Sequence, residues 1–155
     1  MNELSIAVAL VRNRKMSGIR WLARQNANSG HLHFIVGERL EDESFREAAA
    51  REVAWELNLD RKRDFIVSNM AQVNLEFIDE IPGYAGEVKV KVSFYNVEIY
   101  RRQVHEIIRS DRRNFWVTSE EICRGISVGG RQFDPLLTYL INRSNVIQSW
   151  ESQSE

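Results

Sequence analysis

The segment Ser44–Leu57, SFREAAAREVAWEL, constrains the fold more than any other stretch of this chain. Ser44 with Glu47 three residues on makes a capping box, in which the two side chains satisfy free backbone N–H groups at a helix start. Alanine, arginine, glutamate and leucine fill the interior, and all are good helix formers. Asn58 follows as a stop, because asparagine tolerates the left-handed backbone that closes a helix. A helix over 44–57 is therefore expected, and the sequence on both sides of it has a different period.

Ser5–Val11 is a nearly continuous apolar run rich in branched residues, which suits a strand covered on both faces. Ile19–Arg24 alternates, with Ile19, Trp21 and Ala23 on one side and Arg20, Leu22 and Arg24 on the other; 13–18 between the two runs is a natural hairpin turn. His31–Val36 is a third strand. After the helix, Phe65–Phe77 and Glu87–Tyr95 are longer strand segments joined through Pro82, Gly83 and Gly86. In the second, Val88, Val90, Val92 and Phe94 alternate with Lys89, Lys91 and Ser93. Asn114–Val117 is a short strand, Thr118 or Ser119 caps a brief helix through Ile122, and Asp134-Pro135 opens a last helix to about Asn142. One early and one late helix around several strands predict an α/β (α+β) helix/mixed-sheet/helix sandwich. A single domain over 1–147 is expected, with 148–155 as a frayed tail.

Bulk composition narrows the function. With 21 basic and 22 acidic residues the net charge is −1, so charge alone gives no reason to expect nucleic acid or a membrane surface as partner. Cys123 is the only cysteine, which excludes an intrachain disulfide and fits a reducing, cytoplasmic compartment. Met1–Ile6 lacks the basic-then-apolar pattern of a signal peptide, and no apolar run approaches the roughly 18 to 20 residues of a membrane span.

Chemistry concentrates between Gly37 and Leu59, where acids stand at 38, 41, 42, 43, 47, 52 and 56. Glu52 and Glu56 are four apart on the expected helix, so their side chains project from one face about 5–6 Å apart. Two carboxylates that close repel by about 3 kcal/mol at an effective dielectric near 20. A cation, an arginine or open water must offset that repulsion. On the helical wheel the pair falls on the side of Phe45 and Ala49, near the apolar stripe rather than fully in solvent.

This segment resembles the Nudix hydrolase pattern G-x5-E-x7-R-E-U-x-E-E-x-G-U, where U is bulky and apolar. Gly37, Glu43, Arg51, Glu52, Val53, Glu56 and Leu59 match it at the right spacing. Trp55 replaces the first glutamate of the E-E pair, and Asn58 replaces the last glycine. The run Phe115–Ile122 is also similar to a late strand-to-helix step in many Nudix domains. The resemblance implies Mg²⁺- or Mn²⁺-dependent hydrolysis of a small nucleoside diphosphate derivative, and a homodimer is among the states common in that family. By position, Glu52 and Glu56 would be metal ligands, with the Gly37 carbonyl another. Arg51 would hold a neighbouring glutamate, Glu43, in place. Indole has no lone pair for a hard cation, so Trp55 removes one ligand and argues for one metal rather than several. Ile35-Val36, where Pro-Gly often precedes the motif glycine, alters the loop. These departures motivate an alternative, a catalytically impaired Nudix-fold module that senses a ligand or binds a protein.

Other residues carry weaker signals. Trp55 is expected to pack in the core, as aromatics on amphipathic helices usually do, with substrate stacking as the other role. His31 and His33 have no third metal ligand at a recognisable spacing and are expected to be ordinary strand histidines. Glu106 and Asp111 are both candidates for an additional catalytic acid on a loop. The arginines at 101, 102, 109, 112 and 113 are expected to form a solvated basic loop; an RNA contact there would make binding steeply salt-dependent. Tyr84, Phe94 and Tyr95 are expected to be structural, and Cys123 has no neighbouring base to make it a nucleophile.

Overall fold

The computed structural model describes residues 1–14 and 18–149. Along the chain come β1 (Asn2–Asn13), β2 (Arg20–Gln25), β3 (Leu32–His33), β4 (Ile35–Glu38) and α1 (Phe45–Leu57). Then follow β5 (Phe65–Val67), β6 (Val73–Glu80), β7 (Glu87–Ile99), α2 (Arg102–Ser110), β8 (Asn114–Val117), α3 (Ser119–Arg124) and α4 (Pro135–Ser144).

All the strands join one mixed sheet in which β1 and β7 run parallel at the centre, in register from Asn2↔Val88 to Arg12↔Glu98. That long register carries β1 beyond both ends of the apolar run Ser5–Val11. The alternation of these strands builds two cores. Ile6, Val8 and Leu10 join Val88, Val90, Val92 and Phe94 under α3 and α4. Ala7, Ala9 and Val11 join Val97 and Ile99 under α1 and α2. The sandwich expected from the sequence therefore forms, with β1 covered on both faces.

Local chemistry sets the helix limits. Ser44 and Glu47 make both bonds of the capping box, and Asn58 ends α1 at φ 54°, with its N–H bonded to the Ala54 carbonyl. Thr118 and Glu121 form a second capping box at α3, which Gly125 ends at φ 82°. The Asp134 carboxylate accepts from the Leu137 N–H at the start of α4, with Pro135 in its first turn.

Three expectations are corrected. The third strand breaks in two at Phe34, which is buried between β3 and β4. The segment Phe65–Phe77 is also two strands, because Ser68 folds back on the Met70 carbonyl before β6 begins. The expected basic loop is largely a helix, α2, which carries Arg102 and Arg109, with Arg101 before it and Arg112 and Arg113 in the turn after it. Val104 and Ile108, four residues apart, are buried in the core it shares with α1 and outweigh the polar residues around them. Of the expected hairpin turn, 15–17 lie outside the described residues; of the expected tail, 150–155 do, Trp150 among them.

Candidate active site

α1 lies against the sheet where it crosses β4, with no room for a side chain between them at Gly37. A Cβ added at Gly37 would fall 2.5 Å from the Ala48 carbonyl oxygen and 3.4 Å from the Glu52 Cβ. Only glycine permits that approach, which sets Gly37 against the helical turn carrying Glu52. Glu52 and Glu56 then emerge beside β4, their side chains 22% and 21% exposed.

Each carboxylate already has a guanidinium. Arg51 grips Glu43 with two bonds, Nε to Oε2 at 2.8 Å and an η nitrogen to Oε1 at 3.0 Å. It also reaches Glu52 Oε2 at 3.1 Å and the Glu38 carbonyl at 2.8 Å. Its hydrogen bond holds the Glu43 carboxyl below the usual range. Glu56 is paired differently. Burial pushes its carboxyl above the usual range, and the neighbouring His33 and Arg24 pull it part of the way back.

Arg24, only 4% exposed, was not legible as a site residue. Its Nε donates to Glu56 at 3.2 Å, and an η nitrogen donates to the Asn114 side chain at 2.5 Å and stands 3.6 Å from Asp111. The one available signal was an arginine on the strand face that also carries Leu22. A charge on a covered face needs a partner, but sequence does not say which.

The two candidates for an additional acid separate clearly. Glu106 lies on α2, not on a loop, and pairs with exposed Arg109 at 2.6 Å. Asp111 sits at the C-cap of α2, where bonds from Arg113 lower its pKa to about 2. Through Arg24 it is tied to Glu56, whereas Glu106 has no such link in the observed hydrogen bonds. Of the arginines at 101–113, three pair with carboxylates: Arg101 with Asp64, Arg109 with Glu106 and Arg113 with Asp111.

No protein-family model matches the sequence, and no curated protein matches it either. Solved structures do. RenU, a Nudix hydrolase from M. smegmatis, aligns over 92% of this chain and 84% of its own, with TM-score 0.57 and 12% identity. The MutT protein of Methanosarcina mazei Go1 aligns over 92% of both chains, with TM-score 0.51 and 19% identity. The chain has the Nudix fold.

NrtR of Shewanella oneidensis shares that fold at TM-score 0.57 and 16% identity over 90% of this chain, which spans only 61% of NrtR. Within the Nudix fold of this chain, the motif-like segment runs along β4, the loop after it and α1. The structure brings Gly37, Glu43, Arg51, Glu52 and Glu56 together there. It does not bring in Trp55 as core: that side chain is 80% exposed, because Val53 and Leu57 occupy the buried face of α1. His33 approaches Glu56, and its ring nitrogen Nδ1 lies 2.9 Å from the Phe34 carbonyl. His31 precedes β3. Phe94 is core, and the half-buried Cys123 donates to the Ile147 carbonyl.

The donor set suits one hard cation: two carboxylates and a backbone carbonyl, all oxygen, with no ligand from Trp55. Among the described residues no group of three or more His, Cys, Asp and Glu side chains stands ready to hold a metal. Remaining positions would fall to water and substrate. No helix among the described residues is long and apolar enough to cross a membrane.

Proposed function

We propose that this chain hydrolyses the phosphoanhydride of a nucleoside diphosphate derivative at the Glu52/Glu56 face of α1, with one Mg²⁺ or Mn²⁺. The observation that carries the reading is the half-buried carboxylate pair, one helical turn apart and set against Gly37. Glu52, Glu56 and the Gly37 carbonyl would hold the divalent cation, which would supply charge neutralisation for phosphate oxygens and lower the pKa of a bound water. The chain's own residues do the rest. Arg51 fixes Glu43 and Glu52 relative to the loop, so the carboxylates keep one geometry. Arg24 and His33 favour the ionised form of Glu56 against the burial that opposes it. In the hydrolysis, water bonds to one phosphorus and gives up a proton to solvent, the bridging P–O bond breaks, and the leaving phosphate takes the electron pair.

Calorimetric titration of Mn²⁺, with and without ADP-ribose, tests this in the wild type and in the Glu52→Gln/Glu56→Gln double variant. Binding that disappears in the double variant, together with turnover of a nucleotide panel in the wild type, is the expected result. Binding that survives in the variant places the metal elsewhere. Absence of both binding and turnover in the wild type overturns the reading.

A second reading has its own observation: Glu52 and Glu56 already meet Arg51 and Arg24, and Trp55 supplies no third acid. On it, the site binds a nucleotide without catalysis and acts as a ligand sensor or a protein-binding module. Glu56→Gln then leaves nucleotide affinity unchanged, whereas the hydrolase reading requires it to fall.

A further inference from the structure

The site described so far leaves Trp55 unused. The residue lies at the α1 position where the Nudix pattern has a carboxylate, and four-fifths of it is in water. The helix dictates that placement. Buried Val53 and Leu57 lie two residues to either side, so position 55 points away from the core whatever residue occupies it. At about 100° per residue, the indole stands about 40° from Arg51 and about 60° from Glu52 around the axis. Helical side chains lean towards the N-terminus, which directs position 55 towards the turn that carries those two residues. It borders the carboxylate pair on the solvent side. None of the ring or cation–ring contacts observed, which involve Phe45, Phe77, Phe115 and Tyr139, includes Trp55.

We infer that Trp55 is a stacking platform for the base of the nucleotide whose phosphates reach Glu52 and Glu56. The inference rests on the reading of the site given above and names the residue that gives it a preference for base-bearing substrates. Residues three apart on a helix have Cβ atoms about 5–6 Å apart, a separation one ribose bridges between base and phosphate. Every base offers a π-face, and indole presents a large, stiff one at little conformational cost. The replacement of glutamate by tryptophan thus exchanges a metal ligand for a contact to the far end of the substrate. The site should distinguish a nucleotide from a bare polyphosphate, a distinction that Glu52 and Glu56 alone do not make.

The test compares ADP-ribose with inorganic pyrophosphate, each with Mn²⁺, on the wild type, Trp55→Ala and Trp55→Phe. At an exposed position these substitutions leave the fold intact. Trp55→Ala should weaken ADP-ribose roughly 5- to 150-fold, the range of one lost base stack, and leave pyrophosphate within about twofold. Trp55→Phe should keep most of the ADP-ribose affinity. Intrinsic fluorescence gives a second readout: ADP-ribose should quench the wild type, and both variants should lose that quenching. An unchanged ADP-ribose affinity in Trp55→Ala overturns the inference and leaves the indole to a protein partner. Equal losses for both ligands also overturn it, since Trp55 would then act through the metal or the helix. A wild type that binds pyrophosphate but not ADP-ribose removes the platform and spares the phosphate site. One that binds neither ligand removes both readings.

Discussion

α1 and α2 pack on the same core yet approach it to different depths. α1 comes close through small residues: its Ala48 and Ala49 are fully buried in the core that holds Ala7 and Ala9 of β1, and its backbone touches Gly37 of β4. Side chains close its start, and the backbone N–H of Asn58 closes its end. α2 buries only Val104 and Ile108, and its N-cap, Arg101, makes no side-chain cap bond. The contrast shows where precision is built in. The helix carrying the carboxylate pair adds backbone contact, which tolerates little displacement, to its buried Val53 and Leu57, whereas α2 buries two side chains without such contact. Arg24 joins them, reaching Glu56 on α1 and Asp111 at the end of α2.

Cutting that tie should have the largest effect. Arg24→Ala leaves Glu56 half-buried without its guanidinium and Asn114 without its donor, and should cost about 3–4 kcal/mol in urea unfolding. Arg24→Met with Glu56→Met removes both charges and should recover most of that loss. If Arg24→Ala costs under about 1 kcal/mol, the two helices are not coupled through this residue.

Gly37→Ala attacks the backbone contact directly. The new methyl would sit 2.5 Å from the Ala48 carbonyl oxygen, so α1 must lift from β4, at a cost of about 2–3 kcal/mol. Hydrogen exchange should show the loss concentrated in α1 and β4, with α2 much less affected. Faster exchange spread evenly over both helices would mean that the contact is not special to α1.

The same contrast explains what sequence conveyed. α1 was legible because its start, interior and stop are all local signals: Ser44 with Glu47, the alanines, and Asn58. α2 lacks a start signal, and Val104 and Ile108 were hidden among arginines that stay on its solvent side. Gly37, Glu43, Arg51, Glu52 and Glu56 were legible from spacing along one loop and one helix. Arg24 and Asn114 were not, because the antiparallel register of β2 with β8 brings together residues 90 apart in the chain. Trp55 was misplaced for another reason. Its chemical type suggested core, while its angle relative to Val53 and Leu57 already pointed outward.

Capping offers a smaller, paired test. Ser44→Ala removes the cap of α1 and should cost about 1 kcal/mol. Arg101→Ser gives α2 the cap it lacks and should add about 0.5 kcal/mol, after loss of the part-buried pair with Asp64. Thermal melts of the two variants should shift in opposite directions. A shared direction would show that α2 is not limited by its uncapped end.

The smallest effect concerns pH and the far end of α2. Bonds from the Arg113 side chain and backbone lower Asp111 from its ordinary 3.8 to about 2. Between those values the unfolded chain binds the proton more readily than the folded one. The contribution of Asp111 is therefore complete above the ordinary aspartate range and is lost as pH falls towards 2. Because Arg113 is well exposed and Asp111 about a third exposed, solvent screens the pair and it amounts to about 1 kcal/mol or less. Asp111→Asn should be less stable than wild type by that amount at pH 6, and the two unfolding curves should converge as pH approaches 2. Glu56, raised by burial, runs the other way: its folded form holds a proton more tightly than the unfolded chain, so it costs stability as pH rises through the carboxylate range. Glu56→Gln should therefore separate from wild type as pH rises, apart from the ion pair that it gives up to Arg24. Parallel curves for Asp111→Asn from pH 6 to 2 would mean that its carboxylate is held no more tightly in the folded chain than in the unfolded one, and that the end of α2 is not fixed through Asp111.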